Sequence, residues 1–462
     1  MSKNQISRRL FLATTAAISV AGCATGTTKK TATSKKSAEG LPVGILSCKS
    51  PNEKLNIAAI GAGGKGSSDI DGCSSENIIA LCDPDWKTAG GTFDRYPNAK
   101  RYKDFRVLLD KETTLDAVTV STPDHMHAFA AIDAMERGKH VYVQKPMAHT
   151  VYEARKMAEI ARKYKVATQM GNQGHTGEGV RKFCELIWSG VIGNVREVHA
   201  WTNRPIWPQG IDKPLPAQEI PETMAWDVWL GPAPARAYNK GYAPFNWRGW
   251  FDFGCGALGD MACHILDPSN WALQLKDPIS IECVSQEKKN SETFPTKSII
   301  RYEFPQRGSM PPVTLYWYDG GNLPPRPKGV DPKVRLGDGD NGSLFIGEKG
   351  MIHIKTYGDD PQILPAELAK DLKTPLKMIP RSAQNRDTDR DHKLNWIYAI
   401  KGGTPACSNF DYAGPFTEWV VLGNLALRCE GKLLWDAAKM KVTNNPAANQ
   451  YVNVKYRKGW HL

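Results

Sequence analysis

Apolar positions in this chain gather into short runs that alternate with stretches of helical periodicity. Leu55-Asn56-Ile57-Ala58-Ala59-Ile60 is a β-forming run, and Asn77-Ile78-Ile79-Ala80-Leu81-Cys82 is a second that ends at Asp83. Leu115 to Val120 reads as a strand ending in Ser121-Thr122-Pro123-Asp124-His125, followed by a helix from Ala128 to Arg137 closed by Gly138. His140 to Val143 is the next strand and ends at Gln144-Lys145-Pro146; Val151 to Tyr164 is a helix and Val166 to Met170 a strand. Such strand–helix alternation predicts a parallel sheet with helices on both faces. Ligands of these sheets lie beyond the carboxyl ends of the strands, where Thr122-Pro123, Lys145-Pro146 and Gly171-Asn172 all fall.

At 462 residues, 41% of them hydrophobic, the chain is too long for one ordinary domain and predicts two. Its net charge of +12 is uneven: half of it comes from residues 1–40, where seven Lys and Arg face only Glu39. No dense basic run occurs in the body, so nucleic acid is not an expected partner. Ser7-Arg8-Arg9-Leu10-Phe11-Leu12 resembles a twin-arginine export signal, and its apolar stretch Phe11 to Ala21 is shorter than the about 20 residues a bilayer span needs. Val20-Ala21-Gly22-Cys23 resembles a lipobox, which makes Cys23 a lipidation candidate; the alternative is an ordinary cleavage site with a bystander cysteine. The protein is therefore expected to be exported and periplasmic, touching a membrane only through such an anchor. Residues 1–25 are assigned to the signal and 26–52 to a flexible linker. The cysteines form no C-x-x-C pair, and no metal site is expected.

Gly61-Ala62-Gly63-Gly64-Lys65-Gly66 sits between the first strand and a helix-compatible stretch, and Asp83 follows 22 residues after Gly61. Together these make a dinucleotide-binding fingerprint. Gly61 permits the tight turn, Gly63 and Gly64 bring backbone close to the pyrophosphate, and Gly66 lets helix and strand pack closely. Asp83 can accept hydrogen bonds from the adenosine ribose and would repel a 2′-phosphate. The expected cofactor is thus NAD rather than NADP.

These residues, with Ser121-Thr122-Pro123-Asp124-His125-Met126-His127, Gln144-Lys145-Pro146-Met147-Ala148, Gly171-Asn172-Gln173-Gly174-His175, Trp247-Arg248 and Gly259-Asp260-Met261-Ala262-Cys263-His264, resemble the Gfo/Idh/MocA family. Where the family usually has Glu-Lys-Pro, this chain has Gln144-Lys145-Pro146, which leaves the tuning of the lysine in question. The resemblance implies an α/β protein: an N-terminal Rossmann doubly wound parallel sheet (53–170), then an α+β domain (171–462) with a large, mostly antiparallel open sheet used in substrate binding and oligomerisation. Strand candidates there include Val195 to Trp201, Ile281 to Ser285, Ser298 to Phe304, Val313 to Tyr318 and Ser343 to Ile346. A homodimer or homotetramer is expected.

Oxidising a secondary alcohol requires a base for the hydroxyl proton and a group that steadies the oxygen. Asp260 and His264 lie four apart on a predicted helix and share a face. The resemblance implies His264 as general base, Asp260 as its partner and substrate ligand, and Lys145 as the cation on the developing alkoxide. Thr122, Pro123, His125, His127, Lys145 and Asn172 are expected around the cofactor. His175, Trp247 and Arg248 are expected around a sugar-like substrate. Arg248 can meet a hydroxyl or carboxylate, or serve as a domain-interface ion pair. The expected activity is NAD-dependent oxidation of a sugar, glycoside or polyol, with a tightly held, recycled cofactor. Two alternatives stand beside it: a glycosidase working through a transient 3-keto sugar, and a non-catalytic sugar- or nucleotide-binding lipoprotein.

Overall fold

The computed structural model describes residue 50 and residues 52–370, 377–381 and 387–462. The twin-arginine motif, Cys23 and nearly all of the linker lie outside the described residues.

Two sheets organise the chain. The first contains β1 (Asn56–Ile60), β2 (Asn77–Cys82), β3 (Lys100–Tyr102), β4 (Ala117–Val120), β5 (His140–Val143) and β6 (Thr168–Met170), in the order β3-β2-β1-β4-β5-β6 with every pairing parallel. Its order reverses beside β1, so a crevice opens between the carboxyl ends of β1 and β4. The connecting helices are α1 (Lys65–Asp71), α2 (Trp86–Arg95), α3 (Phe105–Lys111), α4 (Asp124–Glu136) and α5 (Val151–Tyr164). Alternate strand residues enter opposite cores: Ala58, Ile60, Val118 and Val120 pack on one face, Ile57, Ala59 and Ala117 on the other. Helix α5 starts where it does because Thr150 and Glu153 form a capping box, with Thr150 Oγ1 accepting from the Glu153 N–H at 3.2 Å.

The second sheet contains β7 (Val195–Trp201), β8 (Ser280–Glu287), β9 (Lys297–Phe304), β10 (Val313–Asp319), β11 (Gly342–Gly347), β12 (Met351–Ile354), β13 (Gln362–Leu364), β14 (Leu433–Asp436) and β15 (Lys441–Val442). Their order is β13-β12-β11-β7-β10-β9-β8-β14-β15, antiparallel except for the β7–β10 pair. All five strands expected from the sequence in this region are present. The helices here are α6 (Glu178–Trp188), α7 (Trp226–Leu230), α8 (Gly256–Ile265), α9 (Asp267–Ala272), α10 (Glu367–Lys370), α11 (Thr388–Ile400) and α12 (Phe410–Arg428).

Two of these helices return to the first sheet. Trp396, Ile397 and Ile400 of α11 share a core with Leu55, Ile57 and Tyr142, so a segment late in the chain completes one Rossmann face. Lys393 of α11 is fully buried there, with Nζ 3.0 Å from Asp69 Oδ1 and 2.6 Å from Asp389 Oδ1. Lys65 adds a second cation 3.1 Å from Asp69. Lys393→Met takes one cation from Asp69 and leaves Lys65, so the lost buried partner is expected to lower unfolding stability by about 1–3 kcal/mol, and Asp69→Asn in the same chain to restore part of it. Chemical denaturation of both variants checks this; an undiminished midpoint for Lys393→Met would show the pair to be dispensable.

Candidate active site

A cavity of about 550 Å³ runs from the glycine-rich turn to the start of α8. At one end Gly61 has φ +83°, and a Cβ at Gly66 would lie 1.7 Å from the Gly61 carbonyl oxygen. Only glycine lets α1 rise this close to β1. Asp83, at the end of β2, accepts from the Gly63 N–H and the Asp85 N–H, each at 2.9 Å, and so ties the turn to its neighbouring strand. Burial pushes its carboxyl up to about 6, which leaves it mainly ionised at neutral pH. Gly64 precedes α1 without a capping side chain, and Lys65 stands at the same mouth. A side-chain-free cradle, an uncapped helix start and a carboxylate beneath them fit a dinucleotide.

At the other end Lys145, from the β5 turn, meets α8. Its Nζ donates to the Asp260 main-chain carbonyl and to Asp260 Oδ1 at 3.0 Å. Burial alone would raise the Asp260 pKa, but Lys145 and Arg248 outweigh it and hold the carboxyl below its ordinary value. His264, one helical turn further on, lines the cavity at 5% exposure, with its ring 4.9 Å from that of Tyr357. Its Nδ1 is buried without a hydrogen-bond partner among the described residues. Burial, reinforced by the Lys145 charge, drives the imidazole pKa well down, so the ring is neutral and able to accept a proton. Asp260 is thus hydrogen-bonded to Lys145, and it acts on His264 through its charge, which partly offsets that of Lys145. Sharing a helix face brings Asp260 and His264 close, but the short carboxylate takes its hydrogen bond from the full positive charge.

Gln144, preceding Lys145, turns away from the ammonium: its Nε2 donates to Asp69 Oδ2 at 2.8 Å, as does Ser121 Oγ. A glutamate there would set a second buried carboxylate against Asp69. The amide of Gln144 instead meets Asp69 as a donor.

Gly61, Gly63, Gly64, Asp83, Thr122, Pro123, Lys145, Trp247, Arg248, Asp260 and His264 all line the cavity. Gly66 supports it from beneath. Four other candidates sit elsewhere. His125 and His127 lie in the first turn of α4, because that helix begins at Asp124 and not at Ala128. Each imidazole is wedged between two backbone carbonyls, Phe253 and Trp229 for His125, Pro146 and Thr122 for His127. Burial pushes their pKa values down to about 3 and about 4, and both rings are held by backbone rather than facing the cavity. Asn172 and His175 both serve Asp267: Asn172 Nδ2 donates at 3.0 Å and His175 Nδ1 lies at 2.9 Å. His175 also stacks on Trp271 at 4.1 Å. The turn of 3₁₀ helix from Gln173 carries these two side chains inward and presents Gln173 to the cavity.

Asp124, Gln173, Tyr357 and Phe245 were not anticipated, although they too line the cavity. Asp124 was visible beside Pro123 as an acid opening a helix; the others carried no local signal. Trp229 and Trp247 line the cavity and also share a core with Trp226, Trp250, Tyr242 and Phe253. Among the described residues no group of three or more His, Cys, Asp or Glu is arranged to hold a metal ion.

Two family models match the chain, "Oxidoreductase family, NAD-binding Rossmann fold" over residues 55–172 and "Oxidoreductase family, C-terminal alpha/beta domain" over residues 179–309, together more than half of it. The chain belongs to the Gfo/Idh/MocA family of NAD-dependent oxidoreductases. It is 27% identical over 208 residues to an alpha-N-acetylgalactosaminidase of Shewanella oneidensis, a match covering 42% of this chain and 45% of that one. It is 25% identical over 194 residues to the levoglucosan dehydrogenase of Pseudarthrobacter phenanthrenivorans, covering 42% and 41%. These matches span less than half the length of the curated relatives. In fold it is similar to the WlbA dehydrogenase of Bordetella pertussis, solved in complex with NADH and UDP-GlcNAcA, with a TM-score of 0.58 at 13% identity over 83% of this chain and 99% of that one.

Proposed function

We propose that this protein oxidises a secondary hydroxyl of a sugar, glycoside or polyol, with NAD held in the crevice above β1 and β4. One observation carries the reading: an ammonium, a carboxylate and a neutral imidazole converge at one end of a cavity whose other end is the glycine cradle. Gly61, Gly63, Gly64, Lys65, Asp83, Thr122 and Pro123 would hold NAD, and the Asp83 carboxylate disfavours a 2′-phosphate. Bound NAD supplies the hydride acceptor. His264 takes the hydroxyl proton as general base, Lys145 steadies the developing alkoxide, and Asp260 aligns Lys145 and accepts from a neighbouring hydroxyl. Trp247, whose ring carries the Arg248 guanidinium, steadies that arginine at the substrate end.

The leader-like N-terminus points to work outside the cytoplasm, where free NAD is scarce. Retention and recycling of the nucleotide through each turnover follow from that setting. Protein purified without added NAD is expected to carry near-stoichiometric nucleotide, measured by absorbance after denaturation; an empty crevice would count heavily against recycling.

The match to an alpha-N-acetylgalactosaminidase favours a second reading, in which oxidation at C3 acidifies the neighbouring C–H, a glycosidic group is eliminated, water adds to the unsaturated ketone so formed, and the ketone is then reduced again. Product analysis separates the two, since a cleaved glycoside with no oxidised product means net hydrolysis. Under either reading His264→Ala is expected to cut turnover by about 10²–10⁴-fold while nucleotide content stays unchanged. Turnover equal to the parent protein's would remove His264 from the chemistry.

A further inference from the structure

Around Asp260, at the catalytic end of the cavity, cations outnumber carboxylates: Lys145 and Arg248 line the cavity, and Arg204 approaches Asp260 from outside its lining. The single carboxylate of Asp260 faces Lys145 Nζ at 3.0 Å, Arg248 Nε at 3.4 Å and Arg204 Nε at 3.9 Å. Asp124, the other acid there, accepts from the Cys255 N–H at 3.0 Å, and burial pushes its carboxyl up to about 7, so at neutral pH it supplies only part of a charge. His264 is neutral. One full carboxylate and part of another do not balance three cations.

The two arginines are also loosely paired beside those that this molecule holds in close ion pairs. Arg236 lies 2.7 Å from Asp252 and 2.9 Å from Glu292, Arg381 lies 2.7 Å from both Glu178 and Glu185, and Arg155 lies 2.6 Å from Glu418. By contrast, among the described residues neither Arg248 nor Arg204 has a carboxylate oxygen closer than 3.4 Å. Arg248 is nevertheless held in place. Its guanidinium lies 4.2 Å from the Trp247 ring centre and 4.6 Å from that of Phe245, and Nη1 donates to the Phe245 carbonyl at 3.1 Å. Arg204 donates from Nη1 to Asn203 Oδ1 at 2.6 Å. A guanidinium has five N–H donors in a planar fork suited to an oxyanion, and most of these are unspent here. Stacking removes much of the side-chain entropy that binding would otherwise cost.

We infer that the substrate carries an oxyanion, a carboxylate or a phosphate ester on the sugar, received by Arg248 and Arg204 beside Asp260. The inference rests on the proposed sugar oxidation and narrows its substrate class. A negative group there offsets the excess charge of the site while Lys145 remains on the reacting oxygen.

The test uses the full-length, nucleotide-loaded protein and three matched ligands: methyl glucoside, methyl glucuronide and glucose 6-phosphate. Binding is read by calorimetry, and turnover by the absorbance of reduced nicotinamide. At least one anionic ligand is expected to bind about tenfold or more tightly than the neutral glucoside, with the advantage shrinking as salt is raised. Whichever anion binds more tightly identifies the group. Arg248→Gln and Arg204→Gln are each expected to erode the anionic preference; where either fails to fold, the comparison among ligands on the parent protein still decides. Equal binding of neutral and anionic ligands overturns the inference and leaves sugar oxidation standing. Tight anion binding with no nicotinamide reduction for any ligand supports the anion site and shows that none of the three is the sugar oxidised.

Discussion

Lys145→Met is expected to lower the rate of bound-nucleotide reduction at saturating substrate by about 10²–10³-fold, while leaving the nucleotide in place. The loss follows from the position of Nζ, held on the Asp260 carboxylate in the wall of the cavity. A charge aimed at an oxygen that becomes anionic is worth about 3–4 kcal/mol in a water-poor site, because its dipoles need no reorganisation. Methionine preserves the apolar stem, so packing of the chain around residue 145 is kept. Arg248 and Arg204 remain near Asp260, so its carboxylate is not left alone. Lys145 also depresses the pKa values of both Asp260 and His264. Its removal must raise both, and the acid limb of the pH–rate profile should move to higher pH. Single-turnover absorbance across a pH series measures both effects. A rate within a few-fold of the parent protein's, with an unshifted limb, would show that the ammonium is not at the reacting oxygen.

Gly66→Ala is expected to yield protein without nucleotide and with a markedly lower melting temperature. The added methyl would fall 1.7 Å from the Gly61 carbonyl oxygen and 3.2 Å from the Ser121 Cβ. The nearer contact is backbone and has no rotamer through which to yield, so either α1 moves off β1 or the turn unwinds. Overpacking relieved only by backbone movement costs on the order of 1–3 kcal/mol or more. Either movement dismantles the cradle at Gly61, Gly63 and Gly64. Gly90→Ala supplies the contrast: it lies within α2 with nothing within 4 Å of the added carbon, and alanine there should be neutral or stabilising by up to about 1 kcal/mol. Thermal unfolding and nucleotide content of the two variants, measured together, separate a local collapse of the cradle from a general intolerance of added methyl groups. Full nucleotide content in Gly66→Ala would mean that the close approach of helix and strand is not required.

Turn chemistry and hydrophobic periodicity carried much of this protein's description in the chain itself. The crevice was legible because a strand, a glycine turn, a helix start and Asp83 lie within about 30 residues, and each obeys a rule that acts over a few bonds. The spacing of Asp260 and His264 put them on one face of a helix for the same reason. Only the tertiary structure decided which polar side chains near these motifs face the cavity and which charges pair. His125 and His127 turn into backbone carbonyls, Asn172 and His175 turn to Asp267, and Asp260 takes its hydrogen bond from Lys145, 115 residues away. The late helix α11 likewise supplies Lys393 to Asp69 across more than 300 residues. Backbone propensity is a local property, written in neighbouring residues. The direction of a buried polar side chain is settled by whichever charge or carbonyl the folded chain brings within about 3 Å, and local pattern does not encode those long-range meetings.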